Sequence, residues 1–277
     1  MKQQKFIDIQ KLVASKSPKL AKFIPGFVYS YLKRILHQDE INAFMAKNEH
    51  LENEEFCSAV ITQFNIQVEG KNLESIPNSG GVILVMNHPL GGMDAMALVH
   101  LLKNKRRDIK FIVNDLLLNL TPIKGLFVGV NKHGANSRKL PEQMEELFSS
   151  EQLIGIFPAG LVSRKKKGKV EDLEWKKTFV KYARNHHKTM IPIYIEGRLS
   201  NFFYNLSNIR SFLGIKTNLE MLYLSDEMHN QKGKTIRFVV GEPFTIDSFE
   251  ELKSDKKIAE AIKNKVYRLK SQLDNKN

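Results

Sequence analysis

Short apolar runs recur along the chain, and each has the length of a β-strand. They predict strands at residues 82–86, 109–113, 153–157, 191–195 and 236–240. Between several of these runs, apolar residues recur at helical spacing, which predicts helices at residues 94–102, 141–149 and 173–186. This alternation predicts an α/β fold with a mainly parallel central sheet flanked by helices.

The remaining segments are more varied in pattern. Residues 40–58 read as a helix, residues 61–69 alternate as a half-buried strand does, and Ser254 and Asp255 begin a last helix. Pro192 interrupts its run and suggests an edge strand or a bulge. The pattern changes near residue 60, which predicts an N-terminal helical region at 1–60 and an α/β domain at 61–277.

The N-terminal segment is basic and amphipathic. Residues 1–38 carry eight Lys or Arg and one acid, Asp8, and Pro18 and Pro25 divide the segment into two short helices. Such helices can lie in a membrane interface, or their apolar side can pack on the core. The stripe consists of Ile24, Phe27, Val28, Tyr31, Leu32, Ile35 and Leu36.

The positive net charge of the chain indicates an anionic partner. The 277 residues include 43 Lys or Arg and 30 Asp or Glu, for a net charge of +13, which suits a nucleic acid, an acidic membrane surface or an acidic carrier protein. No stretch reaches the roughly 18 uncharged apolar residues that span a bilayer. Cys57 is the only cysteine, which leaves no disulfide framework and no cysteine-based metal site.

The candidate chemistry lies directly after the predicted strand 82–86. His88 is followed by a turn containing Gly91 and Gly92, and Asp94 stands at the start of the next helix. Parallel sheets place their sites at this edge, and a carboxylate that accepts one imidazole N–H leaves the other nitrogen basic. The alternative is structural: His88 ends a strand and Asp94 caps a helix.

A second strand ends in a similar turn, in the segment Phe157-Pro158-Ala159-Gly160. A hydroxyl and a guanidinium follow at Ser163 and Arg164, and Arg suits a phosphate or carboxylate through its bidentate fork. Lys165, Lys166, Lys167 and Lys169 extend the positive charge, or form a solvated loop.

Together these motifs resemble the glycerolipid acyltransferases, of which the lysophosphatidic acid acyltransferases are best known. That family carries a His-Asp motif preceded by Asn, then Phe-Pro-Glu-Gly with a nearby Ser and Arg, then a Pro-containing strand. Asn87-His88 with Asp94, the Phe157–Gly160 block and Pro192 follow the same order across residues 75–200. The N-terminal helices also resemble the membrane-binding helical pair of bacterial members.

Two departures identify a branch of the family. Five residues separate His88 from Asp94 where the common motif has four, and Ala159 replaces the usual Glu, with Arg164 later than the usual Arg. Both features resemble the branch that includes hemolysin-like proteins and the acyltransferases of ornithine and glycine lipids. The weakened phosphate pattern favours a lyso-aminolipid acceptor at least as much as lysophosphatidic acid.

The resemblance implies a peripheral O-acyltransferase on the cytoplasmic face of the inner membrane. His88 is its general base and Asp94 orients that base, while an acyl carrier protein or coenzyme A thioester donates the acyl chain to a lysolipid hydroxyl. It implies no metal and no further cofactor. The substrate-binding residues that it implies are Asn87, Gly91, Gly92, Phe157, Pro158, Gly160, Ser163 and Arg164; the backbone N–H groups of Gly91, Gly92 or Gly160 would serve the oxyanion.

Two other classes of protein fit part of the sequence. A nucleic-acid-binding protein would explain the charge, but residues 164–169 contain no aromatic side chain on which a base could stack. We therefore expect no nucleic acid partner. A catalytically inactive membrane-binding module would keep the fold, but this chain retains both His88 and Asp94.

Overall fold

The computed structural model describes residues 5–114, 120–130 and 140–273. Lys2 of the predicted basic segment lies outside these ranges. Contacts within the chain divide it into two compact units. We call residues 52–198 and 232–273 the α/β unit, and residues 5–51 and 199–231 the helical unit.

The α/β unit is built on a seven-stranded sheet, which confirms the predicted fold class. The strand order is β1-β9-β8-β2-β5-β3-β4, and every neighbouring pair is parallel except β8 and β9. A separate antiparallel hairpin is formed by β6 and β7. The strands are β1 Gln67–Lys71, β2 Val82–Met86, β3 Ile109–Asn114, β4 Phe127–Val130, β5 Leu153–Ile156, β6 Arg164–Lys166, β7 Lys169–Glu171, β8 Thr189–Ile195 and β9 Thr235–Val240.

Helices make up the rest of the regular structure. In the helical unit they are α1 Ile9–Lys16, α2 Pro18–Phe23, α3 Gly26–Ile35, α4 Gln38–Lys47, α9 Asn201–Phe212 and α10 Leu224–His229. In the α/β unit they are α5 Asn53–Gln63, α6 Gly92–Leu102, α7 Leu140–Ser149, α8 Thr178–Asn185 and α11 Asp255–Arg268. Across the described ranges, none of the helices has the length and apolar composition needed to cross a bilayer.

Strands β2 and β5 contain no polar side chain because both faces of the sheet are covered. All five residues of β2 are buried, and it lies between β8 and β5. Gly155 in β5 has a specific packing role, since a Cβ there would lie 2.5 Å from the Phe111 ring of β3. The carboxyl end of β2, the middle strand, is therefore held in a fixed position by the packed sheet.

Four local predictions were wrong. The N-terminal segment, for which two short helices were predicted, forms three, α1, α2 and α3. Residues 61–63 are the end of α5 and not part of a strand, because Cys57, Val60 and Ile61 are buried along one face of that helix. The predicted helix at 40–58 is broken between α4 and α5. The helix predicted from residue 173 begins only at Thr178, and the residues before it run without regular structure.

Pro192 lies in an interior strand, so the edge-strand alternative is wrong. On the β9 side of β8, Ile193 pairs with Val240 of β9, and Met190 pairs with Phe244, which follows β9. The register therefore changes by one residue between the two pairs, which is a β-bulge in the opposing chain. The missing N–H of Pro192 falls at this interruption of the ladder, where no strand bond is lost.

The helical unit joins the N-terminal helices to residues 199–231, a pairing that the sequence analysis did not predict. The Tyr31 hydroxyl lies 2.5 Å from that of Tyr223, and the Ser225 hydroxyl donates to the Leu36 carbonyl. The predicted apolar stripe is split: Ile35 is buried, whereas Phe27 and Tyr31 are exposed. The predicted division of the chain at residue 60 stays a prediction.

Candidate active site

The site begins where β2 ends in the middle of the sheet. Asn87 is the first residue after the strand and is buried. Its side-chain amide donates to the Ile195 carbonyl (2.9 Å) and accepts from the Ile195 N–H (2.7 Å). This two-way clamp fixes the ends of β2 and β8 together, so the residue after Asn87 leaves the sheet in a defined direction.

That next residue, His88, meets Asp94 as the sequence predicts. The His88 Nδ1 lies 2.9 Å from the Asp94 Oδ2, and the same oxygen accepts the Leu90 N–H at 2.9 Å. Asp94 can only accept in its ionised form, so the pair favours the tautomer in which His88 Nδ1 carries the proton. The fifth intervening residue is absorbed in the turn without separating the two side chains.

Burial differs sharply across this pair. The His88 side chain is 17% exposed and the Asp94 side chain is 0% exposed. Burial raises the pKa of Asp94, and the hydrogen bonds from His88 and the Leu90 N–H act in the opposite direction. The Asp94 Oδ1 has no hydrogen-bond partner among the described residues, so the charged form depends on the imidazole.

The turn between the two residues requires glycine. Gly91 has φ 71° and ψ −137°, a backbone conformation that is essentially restricted to glycine. Gly92 begins α6, is exposed, and has open space where a Cβ would stand. The positive end of the α6 dipole therefore lies beside His88, with its first backbone N–H groups in the turn.

The Phe157 block lies against the same histidine. The Phe157 ring stacks on the His88 imidazole at 4.2 Å between centroids, and on the Phe111 ring at 6.0 Å. Pro158 and Gly160 form the following turn, and Gly160 adopts φ 66° beside the Lys176 ammonium. The predicted Phe-Pro-Ala-Gly block and His-Asp motif are thus brought together by adjacent strands, β5 and β2.

Ser163 joins this block to the histidine loop through the main chain. Its N–H donates to the His88 carbonyl at 2.8 Å, and its hydroxyl donates to Asp172 Oδ1 at 2.6 Å. Ser163 is buried, so these bonds hold the loop that carries His88 in place. The structure assigns this hydroxyl a loop-holding contact, and substrate binding by Ser163 stays a prediction.

Asp172 is a residue that the sequence analysis missed. Its Oδ1 also accepts the His88 N–H at 3.1 Å, and its Oδ2 accepts the Trp175 indole N–H at 2.9 Å. Its own N–H donates to the Tyr267 hydroxyl at 2.7 Å. The buried carboxylate thereby joins the histidine loop to Ser163 and Trp175, and the main-chain N–H of the same residue joins them to α11. The sequence near it contains neither a turn motif nor a neighbouring histidine.

Arg164 is nearly buried, at 5% exposure, and opens the β6–β7 hairpin. Its guanidinium Nη1 donates to the Val162 and Ser163 carbonyls. The lysines that follow differ from it, because Lys166, Lys167 and Lys169 are exposed on the hairpin. The predicted solvated loop is therefore a short, positively charged hairpin beside the site loop.

The candidate site contains no competing thiol nucleophile among the described residues. Cys57 is fully buried in α5, and burial raises the pKa of its thiol to about 12. Within the same described ranges, the site brings together no three His, Cys, Asp or Glu ligand atoms spaced for a metal ion. The chemistry available here is a buried carboxylate, a histidine and backbone donors.

Comparison with known proteins assigns this arrangement to a family. A family model described as acyltransferase matches residues 11–276. The chain is 43% identical over 264 residues to a lyso-glycine lipid O-acyltransferase of Phocaeicola vulgatus, covering 95% of each protein. It is 41% identical over 264 residues to the protein of that name from Bacteroides thetaiotaomicron, covering 95% of this chain and 97% of the relative.

A solved structure shares the fold. The crystal structure of the 1-acyl-sn-glycerophosphate acyltransferase of Thermotoga maritima is 19% identical to this chain and superposes with a TM-score of 0.51. The alignment covers 94% of this chain and 93% of that one. The similarity therefore extends over the whole architecture.

Proposed function

The chain belongs to the acyltransferase family, and from that premise we propose that it moves a fatty acyl chain from a thioester to the hydroxyl of a lysolipid in lipid biosynthesis. The observation that carries the mechanism is the 2.9 Å contact between His88 Nδ1 and the fully buried Asp94. This contact leaves His88 Nε2 as the basic atom.

His88 removes the proton from the acceptor hydroxyl as its oxygen attacks the thioester carbonyl. The C–O bond forms, the tetrahedral intermediate collapses with loss of the C–S bond, and the same imidazole returns the proton to the departing thiolate. Asp94 holds the ring in position and stabilises its protonated form, as the carboxylate of a Ser-His-Asp triad does. The substrate hydroxyl takes the place of the enzyme nucleophile.

The negative charge on the carbonyl oxygen needs nearby donors. The backbone N–H groups at Gly91 and Gly92, at the first turn of α6, offer hydrogen bonds and the positive end of the helix dipole. Gly92 has no Cβ and faces open space, so a substrate can approach its backbone closely. We leave the Gly160 N–H out of this set of donors, because it already donates to the Phe157 carbonyl at 2.9 Å.

We propose a lyso-glycine lipid as the acceptor. Two relatives with more than 40% identity over nearly the full chain are named for that acceptor. A glycine headgroup carries a carboxylate, which an Arg fork can bind. Arg164 would have to exchange part of its hydrogen bonding to the Val162 and Ser163 carbonyls for that carboxylate, because its guanidinium is buried. Arg164→Lys keeps the charge but loses the fork, and we expect it to raise KM more than it lowers kcat.

The acyl donor has a separate candidate surface. Exposed Lys166, Lys167 and Lys169 on the β6–β7 hairpin suit the acidic surface of an acyl carrier protein or the phosphates of coenzyme A. Replacing all three by Gln should lower kcat/KM for the donor, most strongly at low salt. An equal loss at every salt concentration would contradict electrostatic donor binding.

Association with an anionic membrane surface is the third part of the proposal. The basic N-terminal segment suits the anionic cytoplasmic leaflet of the inner membrane. The helical unit adds exposed apolar side chains from both of its segments: the exposed Phe202 ring contacts Tyr223, and the Tyr223 hydroxyl meets that of exposed Tyr31. Peripheral binding would combine this apolar surface with the basic charge.

One assay tests acceptor and mechanism together. Full-length protein is mixed with one acyl donor and vesicles containing either lyso-glycine lipid or lysophosphatidic acid, and the products are measured by mass spectrometry. We expect acylation of the glycine lipid by wild type and by the His50→Ala control, which alters an exposed histidine. Acylation of lysophosphatidic acid alone would reject the acceptor, and full activity of His88→Ala would reject the mechanism.

A further inference from the structure

A second group of titratable side chains lies in the helical unit, away from any role in acyl transfer. His37 stands between α3 and α4, Glu40 lies in the first turn of α4, and His229 ends α10. One ligand atom from each lies within 4.8 Å of the others. Three side chains from segments nearly 190 residues apart thus converge on one point.

The hydrogen bonds behind the two histidines fix where their protons lie. His229 Nδ1 lies 2.8 Å from the Ser225 carbonyl, which can only accept, so this nitrogen is the donor. His37 Nε2 lies 3.0 Å from the Asp226 carboxylate, which also accepts. In the neutral rings, the opposite nitrogens, His37 Nδ1 and His229 Nε2, therefore carry lone pairs.

Both of these nitrogens face the same carboxylate oxygen. Glu40 Oε2 lies 3.1 Å from His229 Nε2 and 3.6 Å from His37 Nδ1. Lone pairs facing a carboxylate repel one another unless a cation lies between them. Ligand atoms around a tetrahedral zinc ion lie about 3.4 Å apart, given bonds of about 2.1 Å, and the two observed distances fall on either side of that value.

We propose that His37, Glu40 and His229 bind a divalent transition-metal ion of the zinc class. Two imidazoles and a carboxylate are ligands that zinc prefers, and water would complete the coordination. Asp226 and the Ser225 carbonyl supply the outer hydrogen bonds that orient such histidines. The ring centroids lie 3.4 Å apart with 7° between the ring planes, so the lone pairs run side by side, and a shared ion requires the rings to tilt toward each other.

The ion would act as a cross-link within the helical unit. It joins the start of α4 to the end of α10 and so ties residues 199–231 to the N-terminal helices. That unit buries few apolar side chains of its own, and a bound ion adds stability that grows with the logarithm of the free ion concentration above its Kd. The site is structural and takes no part in the acyl transfer chemistry.

The test uses tag-free, full-length protein freed of metal and then titrated with Zn²⁺. We expect one Zn²⁺ per chain after dialysis. We also expect the folded-to-unfolded ratio to rise about 100-fold when the free Zn²⁺ concentration is 100 times the Kd of the site for Zn²⁺. Co²⁺ in place of Zn²⁺ should give the visible absorption bands of a tetrahedral site. Asp226→Asn removes only an outer partner and should weaken binding about 10- to 100-fold.

His229→Gln and Glu40→Gln each remove one ligand and should abolish the one-to-one binding. His50→Gln is the matched control, because His50 is exposed in the same unit and away from the cluster. Equal zinc content in wild type and His229→Gln would overturn the proposal. So would stability that depends on pH but not on metal, because a shared proton would then take the place of the ion.

Discussion

The two units of this protein differ in where their apolar side chains lie and in how their buried polar side chains are grouped. In the described ranges, every large apolar side chain that is exposed belongs to the helical unit, from Phe6 to Leu222. Both units bury polar side chains, but the α/β unit gathers Asp94, Ser163 and Asp172 around the His88 loop through hydrogen bonds. Its buried carboxylates and amide are held by named hydrogen bonds around one histidine.

This contrast separates two physical tasks. Acyl transfer needs a base held at a fixed position, which requires buried and bonded partners. Contact with lipid needs exposed apolar area and positive charge, and makes little demand on exact geometry. The comparison predicts that substitutions in the α/β unit affect catalysis or stability, whereas those on the helical unit affect binding to vesicles.

The largest effect is expected at the base. His88→Ala should lower kcat by between about 10² and 10⁴-fold, because it removes general base catalysis and leaves the backbone donors in place. Asp94→Asn should lower kcat less, since the base remains but loses its orientation. Steady-state kinetics with circular dichroism as a folding check measure both, and an unchanged kcat in folded His88→Ala would refute the assignment.

Cys57 reports how well the α/β unit excludes water. Its native pKa of about 12, against an ordinary value of 9.0, predicts alkylation at pH 8 on the order of 10³-fold slower in the native than in the unfolded protein. The native thiol keeps its proton more tightly, so the free energy of unfolding should fall as pH rises above 9. Rapid native labelling by iodoacetamide would show that α5 opens readily.

Asp172 should be the main stability determinant near the site. Asp172→Ala leaves the buried donors of Ser163 and Trp175 unpaired and should lower the free energy of unfolding by about 3 kcal/mol. Glu171→Ala, at the exposed neighbour, is the control and should change it by less than about 0.5 kcal/mol. Urea unfolding compares them; similar midpoints for the two variants would remove Asp172 from this role.

Exposed apolar side chains of the helical unit should affect membrane binding and not catalysis. Phe212 is 90% exposed. Phe212→Ser should weaken binding to anionic vesicles roughly thirtyfold, because it removes about 2 kcal/mol of binding free energy that the ring contributes when it is buried in lipid. Asn205→Ser on the same helix is the control. Sedimentation with vesicles at low salt measures both. Wild-type protein that ignores such vesicles would refute the membrane surface altogether.

The sequence predicted those parts of the site that have a local pattern. The strand Val82–Met86 was found at its observed bounds because its apolar run ends in a Pro-Gly turn. The contact between His88 and Asp94 followed from their position after that strand. Arg164 was placed in the right segment, but its burial depends on hairpin packing that no short motif records.

The parts that were missed depend on contacts between distant segments. Asp172 acquires its role from Trp175, Tyr267 and the histidine loop, none of which forms a motif with it. The end of α5 was assigned to a strand because residues 61–69 alternate in polarity, while burial against α6 favours the helix through Ile61. The association of residues 199–231 with the N-terminal helices has no sequence signal either.

The β6–β7 hairpin stands outside the seven-stranded sheet, although its first residue follows the segment bonded to the His88 loop. A change in its exposed lysines alters none of the ladders that support the base. Under the proposed role of these lysines in donor binding, substitutions there would change which acyl donor is accepted while leaving the contacts of His88 in place. The same independence makes residues 165–170 the segment to exchange between relatives when the proposed donor binding is tested.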